Sequence, residues 1–94
     1  ETKTQVTASS RKSSADISLR IVAADRPGLL DVISRILVEL NYTISSAKIA
    51  TLGEKVEDTF VICSQETKNP TRSSEIFSLE SEIASKIDHA LNIE

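Results

Sequence analysis

Between Asp16 and Ala24 apolar and polar side chains alternate, with Ile17, Leu19, Ile21 and Ala23 on one face and Ser18, Arg20 and Val22 on the other. That period of two marks a half-buried strand. Past Ala24-Asp25-Arg26-Pro27-Gly28 the period changes, and Leu29, Leu30, Ile33, Ile36, Leu37 and Leu40 recur at the three- and four-residue spacing of a helix. Pro27 suits the first helical turn, where a missing N–H is no loss. Asp25 is placed to act as N-cap, and Asp31 to complement the positive end of the helix dipole. Asn41 is expected to end the helix, because asparagine tolerates the left-handed conformation.

An extended run from Thr43 to Leu52, the pair Gly53-Glu54 and a second run from Lys55 to Ser64 read as a hairpin. In its second strand Val56, Phe60 and Ile62 share one face, and Glu57, Thr59, Val61 and Cys63 share the other. Gln65 to Ser74 is a polar connector interrupted by Asn69-Pro70. A last helix follows from Ile76 or Leu79, Ile83, Ile87 and Ala90-Leu91, with Glu80 and Glu82 in its first turn. Near the start, Thr4 to Thr7 suits a short strand, and Ser9 to Ser14 a solvated turn.

The order strand, strand, helix, strand, strand, helix predicts an α+β domain, a ferredoxin-like βαββα sandwich with an antiparallel sheet and two helices on one face. Right-handed crossovers place the Asp16–Ala24 and Lys55–Ser64 strands side by side at the centre. Only Asn92-Ile93-Glu94 follow the second helix, so the final strand usual in that sandwich is missing. The N-terminal segment is expected to take its place at the edge. Residues 1–15 thus read as an edge strand and turn, and 16–94 as the domain proper.

Composition narrows the function. Ninety-four residues support one small core, and with only Tyr42, Phe60 and Phe77 as aromatics that core is aliphatic. A formal charge of −3 with interleaved signs, and no aromatic stacking platform, argues against nucleic acid. No apolar run approaches the roughly 20 residues of a membrane span. One cysteine, Cys63, excludes an intrachain disulfide. A cytoplasmic domain with neither nucleic acid nor membrane as partner is the expectation.

The strand leading into Asp25-Arg26-Pro27-Gly28-Leu29-Leu30 and a helix, followed by an extended pair, resembles ACT domains, which are amino-acid-sensing regulatory modules. The run Ala47-Lys48-Ile49-Ala50-Thr51-Leu52-Gly53-Glu54-Lys55-Val56-Glu57-Asp58-Thr59-Phe60 is similar to the C-terminal ACT domain of the bacterial bifunctional PII uridylyltransferase/uridylyl-removing enzymes. The resemblance covers roughly Val6 to Leu91. It implies a non-catalytic regulatory domain of a nucleotidyltransferase in nitrogen metabolism, with glutamine as ligand and the PII protein as partner through the parent enzyme. It also implies pairing with another ACT domain, in a homodimer or within one polypeptide, and no cofactor in this chain. The alternative within the same family is a ligand-free pairing module.

Candidate ligand-binding residues follow from this resemblance: Asp25, Arg26, Pro27, Gly28, Leu29 and Leu30 at the corner, and Thr43, Ile44 and Ser45 at the start of the Thr43–Leu52 run. Free N–H groups at a helix start can hold a carboxylate, Gly28 admits close approach to the backbone, and Asp25 can accept from an ammonium. The bland reading is that Asp25 only caps the helix and Gly28 only permits tight packing. Serine-binding members carry an Asn where Thr43 stands and a His where Ala23 stands, and these departures argue against serine. Glu57-Asp58 invites a metal-site reading, but adjacent strand residues point to opposite faces, so no metal is expected. His89 reads as a solvated helix residue. Cys63 has no histidine nearby in sequence, and no catalytic residue is expected. The face bearing Arg20, Val22, Thr59, Val61 and Cys63 carries no helix, and its apolar centre suggests that a partner covers it.

Overall fold

A computed structural model describes residues 3–11, 15–66 and 73–92. Asn69-Pro70 and the middle of the Gln65–Ser74 connector lie outside the described residues. The elements are β1 (Gln5–Ser10), β2 (Asp16–Ala24), α1 (Leu29–Glu39), β3 (Tyr42–Leu52), β4 (Lys55–Ser64) and α2 (Ser73–Asn92). The strands form one antiparallel sheet in the order β1-β2-β4-β3. This is the ferredoxin-like α+β arrangement, with β1 in the edge position that a final strand would otherwise fill.

Alternation in β2 is observed as predicted: Ile17, Leu19, Ile21 and Ala23 are fully buried on the helix side. Opposite them stand Ile62, Phe60, Asp58 and Val56 of β4, and Leu29, Ile33, Ile36 and Leu37 of α1 and Leu79, Ile83 and Ile87 of α2 close the core. Each aliphatic side chain so buried contributes about 1.5–3 kcal/mol. Two expected stripe residues fall outside: Leu30 is half-exposed and Ala90 exposed. On the other face, β2 places Val22 under its neighbours at 8% exposure. Arg20 there donates from Nε to the Glu57 carboxylate diagonally across the ladder.

Two boundaries and one strand interior differ from the sequence reading. β1 runs three residues beyond Thr7, because Ser9 and Ser10 pair with Ser18 and Ile17, and the Arg11 amide donates to the Asp16 carbonyl to close that hairpin. Ser9 and Ser10 therefore belong to a ladder, and their polarity reflects an edge. α2 begins at Ser73, so its first turn carries Glu75, while Glu80 and Glu82 lie further along. β3 contains a bulge, Ser45 having no partner between the pairs Ile44–Ile62 and Ser46–Val61. At the hairpin turn Gly53 takes φ +70°, the left-handed first position that a two-residue II′ connection requires. Asn41 ends α1 with φ 65°. Its carbonyl accepts from the Gln65 amide, and its Nδ2 donates to Glu66.

Candidate functional site

The corner between β2 and α1 is a turn, and the helix begins later than Pro27. Gly28, at φ 80° and ψ 1°, is the residue preceding the first helical turn, and the Leu29 amide donates to the Arg26 carbonyl. Proline followed by glycine at the two central positions is the signature of a type II turn, whose second central residue must have positive φ. Pro27 is therefore a turn residue. Asp25 is not the N-cap: it lies outside the helix start, is exposed, and donates its amide to the Glu54 carbonyl of the β3–β4 hairpin. No side chain caps α1. Val32 donates to the Gly28 carbonyl, which leaves the amides of Leu30 and Asp31 in the first turn, where helical geometry provides no main-chain partner.

A cavity of about 230 Å³ opens at this corner, lined from α1 by Gly28, Leu29, Leu30 and Asp31 and from the turn by Asp25 and Arg26. Its far wall comes from the sheet: Ile49 and Thr51 of β3, Val56 and Asp58 of β4. Asp58 is 2% exposed, and its Oδ1 has no hydrogen-bond partner among the described residues. Burial, and secondarily the negative charge of Asp25, push its carboxyl above the usual carboxylate range. Arg26 lines the cavity but also donates to the Leu91 carbonyl in the last turn of α2 at 3.0 Å. That contact is favourable because α2 ends there with its negative dipole pole.

The corner candidates Asp25, Arg26, Gly28, Leu29 and Leu30 are thus gathered around one cavity, with Pro27 in the turn beside them. Thr43, Ile44 and Ser45 lie at the other end of β3. Thr43 pairs with Cys63, whereas cavity-lining Thr51 pairs with Val56. The Val56-to-Cys63 span is roughly 23 Å at the rise of an antiparallel strand. Thr43, level with Cys63, also faces the helix-free side. Within one chain the two groups do not meet. Sequence reading missed Asp58, although its signal was present: Asp58 sits two residues from both Val56 and Phe60, and a carboxylate in that register falls on the buried face.

Elsewhere, Cys63 is half-buried, with its thiol near the Ser64 carbonyl, and His89 is exposed in the last turn of α2. Among the described residues no three His, Cys, Asp or Glu side chains cluster as metal ligands, and no helix is long and apolar enough to cross a membrane.

The fold and this corner define a ferredoxin-like α+β domain with a small cavity at an uncapped helix start. No protein-family model and no solved structure matches the chain. Curated relatives do match part of it. A 63-residue stretch, 67% of this chain, is 46% identical to the bifunctional uridylyltransferase/uridylyl-removing enzyme of Legionella pneumophila (strain Corby). Identity is 52% over 58 residues with the enzyme of that name from Pseudomonas putida (strain W619). It is 59% over 44 residues with that from Pseudomonas entomophila (strain L48). These stretches cover 62% and 47% of this chain. The chain spans only 7%, 6% and 5% of the three enzymes' lengths.

Proposed function

We propose that this chain is a regulatory ACT domain of a cytoplasmic PII uridylyltransferase/uridylyl-removing enzyme, binding glutamine and performing no chemistry itself. The observation that carries the reading is the 46% identity over 63 residues to an enzyme of that name. The corner supports it, since Leu30 and Asp31 amides suit a ligand carboxylate and the cavity has room for a small amino acid. In this reading residues 16–94 form the ACT unit, and β1 supplies its edge.

The separation of the Thr43–Ser45 segment from the corner bears on how the domain pairs. A ligand touching both groups must lie between two copies, or between this domain and a second ACT domain of the same polypeptide. The helix-free face of the sheet, with Val61 and Cys63 half-buried on it, is the surface such a neighbour would cover. Ligand bound at the corner would then favour one packing of the two domains over another, and the difference in affinity for the two packings is the signal passed to nucleotidyl transfer on PII.

Thermal unfolding with and without glutamine tests the reading. Ligand at 100 times its Kd stabilises the folded state by about 2.7 kcal/mol, a Tm rise of roughly 10 °C for a domain of this size. An unchanged Tm at saturating glutamine, in a sample shown by sedimentation to be paired, would leave only a pairing module.

A further inference from the structure

We propose that Asp58, through its Oδ1, receives the ammonium group of an α-amino acid whose carboxylate is held by the Leu30 and Asp31 amides at the start of α1. The inference rests on the amino-acid-binding reading above and names the residue of β4 that gives it specificity. Two independent observations meet in one cavity. One is a helix start with no side-chain cap, which offers donors and a positive dipole end. The other is a carboxylate 2% exposed with an oxygen that has no partner among the described residues, on the opposite wall.

Such a carboxylate is costly in an apolar strand face. Asp58 sits between Val56 and Phe60, both buried, and burying an unpaired ionisable group costs several times what a satisfied one does. Asp25 and Asp31 also line the cavity, but both are exposed and Asp31 is paired with Arg35, so a cation gains little at either. An ammonium at Asp58 restores the missing hydrogen bond in a water-poor setting, where charge-assisted bonds are strongest. The arrangement selects for a zwitterion, with donors on the helix side and an acceptor on the sheet side. A carboxylic acid without the amine would leave Asp58 unpaired.

Isothermal titration of the 94-residue chain with glutamine and with its des-amino analogue, 4-carbamoylbutanoate, tests this. Wild type should favour glutamine by about tenfold or more, the scale of one charge-assisted hydrogen bond. Asp58→Asn, nearly the same shape, should lose most of that preference through weaker glutamine binding while the analogue's affinity holds. Asp25→Asn should keep it. Glutamine binding unaffected by Asp58→Asn overturns the assignment and leaves the amino-acid reading standing, as does loss of the preference in Asp25→Asn alone. Wild type that binds glutamine and the analogue equally also overturns it. Absence of glutamine binding to wild type overturns both.

Discussion

The Ala8 amide, on the outer edge of β1, donates to the Glu80 carboxylate in the middle of α2 at 2.6 Å. An edge strand normally leaves such a group to water or to another strand. Here a helix side chain occupies it, so the replacement strand is held both by its ladder to β2 and by α2. Glu80→Ala should destabilise the domain by about 1.5–3 kcal/mol, the range of a hydrogen bond to a charged group. Glu80→Gln should cost less. Urea unfolding gives the energies, and hydrogen exchange at the Ala8 amide should speed up selectively. Uniform acceleration across the sheet would show that Glu80 acts globally and not on this edge.

Gly28 has φ 80° and nothing within 4 Å of where a Cβ would stand. Its requirement is thus conformational and not steric. Gly28→Ala should lower stability by about 1–2 kcal/mol, the left-handed penalty for an L-residue, and Gly28→Asn by less. Equal losses for the two would mean that the corner had rearranged, which a ¹⁵N correlation spectrum of Leu29 to Val32 would reveal.

Asp58 binds its proton more tightly in the folded state, because burial and the Asp25 charge raise its pKa. Stability is therefore fully present below the ordinary carboxylate pKa and falls as pH rises through the folded value. Asp58→Asn removes that loss. The variant should be more stable than wild type at pH 7, on the order of 1 kcal/mol, with the gain vanishing in acid. A gain that is constant with pH would show that the charge is not its source.

Glu57 behaves oppositely. The hydrogen bond from Arg20 holds its carboxyl below the usual range against the opposing effect of burial, with smaller help from the charges of Arg20 and Lys55. Its contribution is present above the ordinary carboxylate pKa and is lost as pH falls through the lowered folded value. In Arg20→Ala, NMR titration should find Glu57 moved up toward an ordinary glutamate. An unmoved Glu57 would mean that the cross-strand contact is not maintained in solution.

Ile83 is fully buried on the core side of α2. Ile83→Ala should cost about 2–5 kcal/mol, a large share of the stability expected for a domain this small. Phe77, 70% exposed on the same helix, should tolerate alanine with a change within about 0.5 kcal/mol. Similar denaturation midpoints for the two variants would contradict the orientation of α2.

Strand β2 and the Lys55–Ser64 strand were legible because their periodicity records a buried face on one side, and the edge position of β1 follows from its hairpin connection to β2, whose other neighbour is β4. Asp25 was misplaced for a physical reason. A proline followed by glycine fits both a first helical turn and a type II turn, and the choice depends on the hydrogen bond from Asp25 to Glu54, a contact between segments distant in sequence. Ser9 and Ser10 look like turn residues because serine carries little strand preference, and pairing overrides it. The adjacency of Asp58 to Glu57 carries no information on burial, whereas its alternation with Val56 and Phe60 places it on the buried face. The distance between Thr43 and the corner follows from the β2–α1–β3 crossover, which starts β3 at the sheet end opposite to the end of β2.

The bulge at Ser45 separates chain length from pairing. Every other residue of β3 has a fixed partner, so a deletion at Ile49, with the hairpin turn kept, would bring Lys48 opposite Asp58 and swing an ammonium toward the cavity wall. Deleting Ser45 changes no partner on either side. The strand can therefore be shortened at that one position without a change of phase. The Tyr42 end and the Thr51 end of β3 are in this sense two independently placed pieces of one strand.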